Sequence, residues 1–443
     1  MNEREADGTR EPLGRPIEPL DGPLDAVVRV PGSKSITNRA LLVAAMADGP
    51  SRLAGVLEAD DTAAMIDCLR RLGVVVELTQ PDDVAVVAGT AGRWPAGPLT
   101  LDARQSGTTA RFLPAALALG TGRYRLDGAP QLRARPFAPL FEALRQLGVG
   151  VQAQRGDLLP VEVLSAGADA WAGEVAVSGD VSSQFISGLM MAAPLSPRGL
   201  RIRLTTPLVS APYLAITARV MADFGVTTTI ADDSVVVPAG RYRPTSQRIE
   251  ADASAASYFF AAAALCGGTV RVEGLGTTTS QGDAAFADVL GAMGCVVRRG
   301  ADWTEVDGPA DGVLRGVTVD LADLSDTAPT LAAVAPFAST PTRMTGIGFI
   351  RHKESDRIGA VVRELRRLGV QADEEPDGML VRPGGANLAG TTVQTYDDHR
   401  LAMAFALVGL RVPGVVIADP GCVAKTFPRF WDVFDDLRRQ RRR

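Results

Sequence analysis

A repeat of about 72 residues constrains the fold of this chain more than any other feature of its sequence. Five amphipathic segments end in a glycine, and successive glycines lie 75, 77, 69 and 75 residues apart, at Gly73, Gly148, Gly225, Gly294 and Gly369. A glycine in this position is typical of a helix C-terminus, where the backbone turns left-handed. Residues 431–439 resemble a sixth, shortened copy of the same helix.

The same period appears in six polar helix openings, each followed by an apolar, alanine-rich stretch. The openings begin at Ser35, Ser106, Ser182, Ser254, Asp326 and Asp397, which are 71, 76, 72, 72 and 71 residues apart. Ser and Asp are preferred residues at a helix N-cap. Because the following stretches are apolar nearly all round, we expect buried helices. Short β-branched runs between the helices predict strands, so each unit is predicted to be β-α-β-α-β-β.

Six such units predict an α/β chain of two domains in an inverse α/β barrel-like fold, with three units per domain, buried helices and sheets outside. A solenoid is the alternative, but solenoid repeats of roughly 20 to 50 residues are shorter than this period. We place one crossing between domains in the polar segment 241–248 and a second near residues 31–32, where the N-terminal strand would complete the C-terminal domain. The predicted domains are 33–247 and 1–32 plus 248–443, with an active site in the cleft between them.

Composition excludes several classes of function. No apolar run approaches the roughly 18 to 20 residues that span a bilayer, so no membrane partner is expected. Four cysteines without a CxxC pair and two histidines without an HExxH motif predict neither a disulfide framework nor a metal site. A net charge of −5 with 5% aromatic residues argues against nucleic-acid binding. Residues 1–24 are polar without an apolar core, which predicts an extension of a cytoplasmic protein.

The use of lysine is more informative than the net charge. Of 46 basic residues three are Lys, which leaves 43 Arg. The lysines are Lys34, Lys353 and Lys425. Because Lys offers a compact ammonium that can lose its proton and Arg does not, we interpret these positions as places where that chemistry is needed. Chance composition is the alternative interpretation.

Charged groups also concentrate at equivalent helix openings. Lys34 directly precedes the first buried helix, where free amide groups favour an anion, although a plain helix cap explains the same pattern. Lys353 lies in the charged segment 351–357, for which a solvated helix start is the alternative. Arg400 opens an otherwise apolar helix and needs a partner or a ligand. Because equivalent openings of a repeat fold share one face, we expect these groups to meet in one cleft.

These motifs, in this order, resemble those of the 5-enolpyruvylshikimate-3-phosphate synthase family. The resemblance extends over residues 31–428, essentially the whole predicted fold. The matching pieces are Pro31-Gly32-Ser33-Lys34-Ser35 with Asn38-Arg39, Ser106-Gly107-Thr108, Arg135-Pro136, Ser182-Ser183-Gln184-Phe185, Asp252-Ala253-Ser254-Ala255-Ala256-Ser257-Tyr258, Gln281-Gly282-Asp283, Lys353-Glu354-Ser355-Asp356-Arg357, Tyr396-Asp397-Asp398-His399-Arg400 and Ala424-Lys425-Thr426-Phe427-Pro428.

The resemblance implies transfer of the enolpyruvyl group of phosphoenolpyruvate to the 5-hydroxyl of shikimate 3-phosphate, with release of phosphate. The reaction belongs to the shikimate pathway to chorismate and aromatic amino acids, and it proceeds by addition and elimination through a tetrahedral intermediate. The family needs no cofactor and no metal, and its members suggest a monomer. The fold of the family is also two domains of three β-α-β-α-β-β copies.

Site residues follow from the resemblance position by position. Phosphoenolpyruvate is expected to bind Lys34, Gly107, Arg135, Gln184, Arg357, Arg400 and Lys425. Shikimate 3-phosphate is expected to bind Lys34, Ser35, Arg39, Ser182, Ser183, Gln184, Ser210, Tyr213, Asp326 and Lys353. Lys34, Asp326 and Glu354 are the candidates for proton transfer, with Asp326 as base at the 5-hydroxyl and Glu354 or Lys34 as the group that protonates the methylene.

Two other functions stay open at this point. The related enolpyruvyl transferase that uses UDP-N-acetylglucosamine shares the fold, but it usually carries a reactive Cys in the loop that is here 131–136 and has none. A member that keeps the fold without catalysis is the second alternative, against which the intact set of charged residues argues. The sequence also departs from the resemblance at Gln105, where the family commonly has Asn, and at Phe112, where it commonly has Pro.

Overall fold

The computed structural model describes residues 14–80, 83–154 and 156–440. Most of the polar extension predicted at the N-terminus, and the last three residues of the Arg-rich C-terminal tail, lie outside these ranges.

Helices occupy the predicted positions in every repeat. Those described are α1 (Lys34–Met46), α2 (Asp60–Arg71), α3 (Gly107–Leu117), α4 (Pro130–Arg133), α5 (Ala138–Gln146), α6 (Ser183–Ala192), α7 (Pro212–Asp223), α8 (Ala253–Cys266), α9 (Phe286–Ala292), α10 (Ala328–Val334), α11 (Arg357–Arg367), α12 (His399–Gly409) and α13 (Phe430–Arg439). The five glycines that predicted helix ends all have positive φ, between 83° and 112°. None of the helices in the described ranges is long and apolar enough to cross a membrane.

Short strands alternate with these helices. They are β1 (Arg15–Ile17), β2 (Leu24–Arg29), β3 (Pro50–Ala54), β4 (Val75–Thr79), β5 (Val84–Ala88), β6 (Leu99–Asp102), β7 (Thr121–Asp127), β8 (Gly150–Ala153), β9 (Val161–Ala166), β10 (Glu174–Val177), β11 (Leu200–Leu204), β12 (Thr229–Ile230), β13 (Ser234–Val237), β14 (Ser246–Arg248), β15 (Gly268–Glu273), β16 (Val296–Arg299), β17 (Trp303–Asp307), β18 (Thr318–Asp320), β19 (Thr342–Thr345), β20 (Ala372–Glu375), β21 (Gly378–Val381), β22 (Thr392–Val393) and β23 (Val415–Ile417).

The sheets repeat one topology. In the second unit β6 pairs in parallel with β7, β7 pairs antiparallel with β9, and β9 pairs antiparallel with β8. The orders β10-β11-β13-β12 and β18-β19-β21-β20 have the same pattern. In the last sheet β22 pairs with β23, and β1 occupies the other edge of β23. The prediction that residues 1–24 are only an extension is therefore wrong for Arg15–Ile17, which complete the sixth unit.

Two units exchange their first strands. β2 precedes α1 in the chain but pairs in parallel with β15, whereas β14 precedes α8 but pairs in parallel with β3. The two connecting segments run side by side, joined by an antiparallel bridge between Gly32 and Ala251. The Ser33 amide donates to the Glu250 carbonyl over 2.8 Å. These two crossings lie near residues 32/33 and 247/248, where the domain boundaries are predicted. The boundaries themselves stay a prediction.

Apolar side chains form two separate clusters. One contains buried residues between 36 and 249, and the other contains residues 17–28 together with residues between 251 and 437. In α1 every residue from Ile36 to Met46 is buried, and in α12 every residue from His399 to Gly409 is buried. Alternate strand residues cover these helices, as in β2, which alternates buried and exposed positions. Buried helices inside small sheets confirm the predicted fold class.

Candidate active site

The openings of the buried helices meet at two adjoining cavities of about 390 Å³ and 320 Å³. Four side chains line both cavities: Lys34, Gln184, Asp326 and Lys353. Lys34 and Gln184 come from the N-terminal half of the molecule, which contains the apolar cluster between residues 36 and 249. Asp326 and Lys353 come from the C-terminal half. The predicted meeting of helix openings in one cleft is therefore what the structure shows.

The first cavity is lined mainly by uncharged hydrogen-bonding groups. Its other lining residues are Ser35, Val181, Ser182, Ser183, Val209, Ser210, Tyr213 and Phe349. Ser182 is the N-cap of α6, and its hydroxyl accepts from the Gln184 amide. The Ser210 hydroxyl is buried without a hydrogen-bond partner, and Ser210 has a positive φ of 55°. An unpartnered buried hydroxyl that lines a cavity is available to a ligand.

The second cavity is strongly charged. Its other lining residues are Asp61, Gly107, Thr108, Arg135, Glu354, Arg357 and Arg400. Lys425 lies beside it, in a neighbouring pocket that shares Arg135 and Glu354. Eight of the nine residues expected around phosphoenolpyruvate or its proton transfer therefore line the charged cavity, and the ninth, Lys425, lines the neighbouring pocket.

Arg357 organises the charges on the C-terminal side of the cleft. Its guanidinium, which is buried, donates to Asp398 over 2.8 Å, to Asp326 over 3.0 Å and to Glu354 over 2.7 Å. The Asp398 side chain is fully buried, and it also caps α12 by accepting from the Arg400 amide. A planar group with five donors can hold three carboxylates in fixed positions, which Lys could not do.

Asp326 is surrounded by donors and cations. It accepts from Arg400 over 2.6 Å, from Arg357 over 3.0 Å and from the Tyr213 hydroxyl over 3.1 Å. Burial by itself would raise the pKa of this carboxyl, but Arg400, Lys353 and Arg357 outweigh it and hold the pKa well below its usual range. Asp326 is therefore ionised at neutral pH.

Glu354 is the second ionised carboxylate of the cleft. One oxygen lies 3.6 Å from both Arg135 and Lys425, and the other accepts from Arg357. Burial opposes ionisation, but these three cations together hold the pKa of Glu354 well below its ordinary value. Each of them is also a predicted contact of an anionic substrate.

Two lysines are shifted in opposite directions. Burial lowers the pKa of Lys353 to about 8, with Asp326 opposing the shift and Arg357 adding to it. Burial also disfavours the charge of Lys425, but Asp61 and Glu354 outweigh it and raise the pKa of Lys425. The lysine that loses its proton more easily therefore lies beside Asp326, and the lysine whose charge is favoured lies beside Glu354.

Two guanidinium groups pack closely against Gly107, so a larger residue there would displace them. A methyl group at its Cβ position would lie 2.7 Å from a nitrogen of Arg135 and 3.0 Å from a nitrogen of Arg111. Arg111 is itself buried, stacks between Phe137 and Phe185, and donates to Gln184 over 2.8 Å. Burial and then Arg135 lower the pKa of Arg111 well below its usual value.

Two groups of the first helix already have hydrogen-bond partners within the protein. The Lys34 amide at the start of α1 is not free for an anion, since it donates to Asp252 over 3.0 Å. Asp252 also caps α8, so that one carboxylate joins the starts of two helices. Arg39 does not line either cavity: it is fully buried behind Ser35 and donates to the Ser35 carbonyl, Thr217 and Ser187. Contact of Arg39 with shikimate 3-phosphate stays a prediction.

Sequence reasoning missed several groups of the site. Asp61 and Asp398 are buried carboxylates that contact predicted cations, and Asp283 is a buried carboxyl that contacts Ser254. Burial and then Asp326 raise the pKa of Asp283 to about 7. Asp61 stands outside every motif quoted above, so the sequence did not indicate it as a site residue. Asp283 and Asp398 stand within motifs already quoted. The described residues contain no group of three or more His, Cys, Asp and Glu arranged to hold a metal ion.

The fold and the paired cavities define a class of enzyme that holds two small anionic molecules side by side between two α/β halves. The comparisons with known proteins agree. The family model described as EPSP synthase (3-phosphoshikimate 1-carboxyvinyltransferase) matches residues 20–434. Because this match covers most of the chain, the protein belongs to the EPSP synthase family.

Relatives with this name are similar over nearly their whole length. The 3-phosphoshikimate 1-carboxyvinyltransferase of Nostoc punctiforme is 45% identical over 427 residues, which cover 96% of this chain and 99% of that protein. The one of Nitrosomonas europaea is 43% identical over 414 residues, covering 92% and 95%.

Solved structures support the fold. An EPSP synthase from Acinetobacter baumannii has a TM-score of 0.78 at 24% identity, covering 95% of this chain and 97% of that one. The enolpyruvyl transferase NikO from Streptomyces tendae has a TM-score of 0.72 at 20% identity, covering 96% and 98%.

Proposed function

We propose that this chain transfers the 1-carboxyvinyl group of phosphoenolpyruvate to the 5-hydroxyl of shikimate 3-phosphate. In the addition, the hydroxyl oxygen bonds to C2 of phosphoenolpyruvate, the hydroxyl loses its proton and the methylene gains one. In the elimination, the new methyl group loses a proton and the C2–O bond to phosphate breaks. The products are 5-enolpyruvylshikimate 3-phosphate and inorganic phosphate, so the chain is a transferase of the shikimate pathway.

The hydroxyl-rich cavity is suited to shikimate 3-phosphate. Ser182, Ser183 and Ser210 offer hydroxyls and helix-start amides to a phosphate. Tyr213 and Gln184 flank the position of the ring, and Lys353 with Asp326 can bind its hydroxyls. Ser35 lies at the carboxylate end, where Arg39 acts from behind by holding the Ser35 carbonyl. We therefore propose Arg39 as a positioning residue rather than a substrate contact.

The charged cavity is suited to phosphoenolpyruvate, which carries both a phosphate and a carboxylate. Arg135, Arg357 and Arg400 offer the paired donors that such groups favour. Lys34, Lys425, Gln184 and the Gly107 backbone complete the proposed contacts. The arrangement needs no metal to balance the negative charge of the substrate, because side-chain cations line the site.

Proton transfer is the function we propose for Lys34, Asp326 and Glu354. Asp326 is ionised and lies at the junction of the two cavities, as a base at the 5-hydroxyl requires. Glu354 is ionised in the empty site because three cations surround it. Bound phosphoenolpyruvate competes for those cations, so the pKa of Glu354 must rise on binding, which makes it a better acid toward the methylene. Lys34 lines both cavities and is the alternative acid.

The roles of the two carboxylates can be separated by Asp326→Asn and Glu354→Gln. We expect a loss of about 10² to 10⁴ in turnover for each, the usual value of one acid or base. Glu354→Gln should in addition suppress wash-in of solvent deuterium into the methylene, whereas Asp326→Asn should affect formation of the carbon–oxygen bond more strongly. Equal effects of both variants on every partial step would contradict the assignment.

A single observation carries the proposal: four side chains line both cavities, so the two ligands meet at Lys34, Gln184, Asp326 and Lys353. The test is phosphate release from phosphoenolpyruvate with shikimate 3-phosphate or with UDP-N-acetylglucosamine, without added metal. We expect release with shikimate 3-phosphate alone. Phosphate release only with UDP-N-acetylglucosamine would identify the nucleotide sugar as the acceptor. No release with either acceptor would indicate a family member without catalysis.

We also propose that the two apolar clusters are two domains, 33–247 and 1–32 plus 248–443, which close over the site. The strand exchange of β2 and β14 supports these limits. A cytoplasmic location is supported by four free cysteines, a pattern that fits a reducing compartment. Cell fractionation with an antibody to the protein tests the location.

A further inference from the structure

Asp61 lies between two of the three lysines of the chain. It stands in the first turn of α2, and its side chain is only 4% exposed. One carboxylate oxygen lies 3.6 Å from the Lys34 ammonium, and the other lies 3.3 Å from the Lys425 ammonium. A carboxylate this deeply buried between two cations is held by them, since an unpaired buried charge is costly.

The two lysines come from opposite sides of the cleft. Lys34 starts α1, on the same side as Asp61, whereas Lys425 follows β23 in the other half of the molecule. Lys425 also donates to the Gln105 carbonyl over 2.8 Å. Its two partners across the cleft, Asp61 and Gln105, therefore both belong to the N-terminal half. Separation of the halves would break both contacts.

Several other charged or titratable groups face Lys425. Glu354 lies 3.6 Å from its ammonium, Arg135 disfavours its charge, and the buried His399 lies close enough for Lys425 to lower the pKa of that imidazole. Glu354 is shared with Arg135 and Arg357, so it cannot replace Asp61 as a dedicated partner. Burial disfavours the charge of Lys425, and Asp61 is the largest influence that opposes it.

We propose that Asp61 is a positioning residue that holds the ammonium groups of Lys34 and Lys425 at the spacing that suits the phosphoenolpyruvate phosphate, and that it does so only when the cleft is closed. Asp61 therefore couples assembly of this subsite to the approach of the two halves. The inference rests on the proposed function of the site, and it adds a residue that does not itself need to touch the substrate.

The test is Asp61→Asn, which keeps the shape of the side chain and removes its charge. We expect the KM for phosphoenolpyruvate to rise by about tenfold or more, as loss of a buried charge partner predicts, with a smaller rise in the KM for shikimate 3-phosphate, which of the two lysines only Lys34 is expected to contact. The alkaline limb of kcat/KM for phosphoenolpyruvate should move to lower pH, because Asp61 raises the pKa of Lys425. Asp60→Asn, at the exposed neighbouring carboxylate, is the matched control and should leave all three quantities unchanged.

Asp61→Glu keeps the carboxylate charge and lengthens the side chain, so it separates the effect of charge from the effect of geometry. It should raise the KM for phosphoenolpyruvate less than Asp61→Asn does and leave the alkaline limb in place. An unchanged KM in Asp61→Asn, equal increases for both substrates, or the same displaced limb in Asp61→Glu would each overturn the proposal. If Asp61→Asn does not fold, the KM values of Asp61→Glu decide it: a rise for phosphoenolpyruvate that exceeds the rise for shikimate 3-phosphate supports the proposal, and unchanged KM values for both substrates overturn it.

Failure of the proposed function is visible separately. Wild-type protein that releases no phosphate with shikimate 3-phosphate would refute that function before any variant is compared. Binding of phosphoenolpyruvate by calorimetry, in wild type and Asp61→Asn, would then still measure the role of Asp61. A loss of binding confined to Asp61→Asn supports the proposal, and equal binding overturns it.

Discussion

The two halves of the cleft contribute different chemistry, although both are built from the same repeat. The N-terminal half supplies mainly hydroxyls, an amide and helix starts, as at Ser182 and Gln184. The C-terminal half supplies a network in which Arg357 holds Asp326, Glu354 and Asp398. Equivalent positions of one repeat can therefore become a recognition surface in one half of the molecule and an acid–base network in the other half. The shared backbone sets only where the side chains meet.

The difference has an energetic basis. Hydroxyl groups can exchange ligand for water at little cost, whereas buried charges must keep partners at all times. The carboxylates and cations of the C-terminal half pair with each other. A bound anion therefore replaces existing partners, and the pKa of each group changes with occupancy.

Lys34→Met should have the largest effect, and it can break the comparison. Lys34 belongs to the hydroxyl-rich half but lines both cavities. We expect kcat/KM to fall by about 10² to 10⁴, because both an anion contact and a proton-transfer group are lost. Steady-state kinetics with phosphoenolpyruvate and shikimate 3-phosphate measure it. Near-native turnover would show that the C-terminal half carries the chemistry alone.

Arg357→Met tests the network as a unit of stability. Removing one partner of a buried ion pair commonly lowers the free energy of unfolding by about 3 to 5 kcal/mol. Here the change leaves the fully buried Asp398 without its guanidinium partner. We expect a lower midpoint in denaturant unfolding together with lost activity. A variant as stable as the wild type would mean that the network serves substrate binding only.

Ser182→Ala is the matched change in the other half. A hydroxyl that contacts a phosphate is worth about 1.5 to 3 kcal/mol, so affinity for shikimate 3-phosphate should fall by roughly ten- to a hundredfold. Because Ser182 also caps α6, stability should fall by only about 1 kcal/mol. Calorimetric binding and unfolding curves measure both. A stability loss as large as that of Arg357→Met would show that the two halves do not differ in how far their site residues stabilise the fold.

The pH dependence sharpens the comparison further. Since burial lowers the pKa of Lys353 to about 8, Lys353 loses its charge as the pH rises through that value, and kcat/KM for shikimate 3-phosphate should fall there. Lys353→Arg keeps its charge at this pH and should remove the limb near pH 8. An identical limb in that variant would assign it to another group.

Ionic strength should have the smallest effect. The cations of the cleft attract anionic substrates to an acidic protein, so association should slow as salt screens them. Stopped-flow binding of phosphoenolpyruvate at about 50 and 500 mM salt measures it. A salt-independent rate would contradict steering by the charged half.

The sequence predicted much of this site because its signals are local and repeated. Helix ends and openings recur with a constant spacing, and the polar residues at those openings, such as Lys34, Ser182 and Arg400, do line the cleft. Arg39 shows the limit of this reasoning. It stands one helical turn from Ser35, yet its guanidinium points into the core, and no pattern along the chain distinguishes the two directions.

The sequence by itself determined the repeated unit, the buried helices and the residue types of the cleft, because hydrophobic periodicity and capping depend on neighbours in the chain. Only the tertiary structure decided the strand exchange of β2 and β14, the cap that Asp252 gives to α1, and the place of Asp61 between two lysines. These contacts join residues up to several hundred positions apart. They arise from the packing of one half against the other, which no local pattern records.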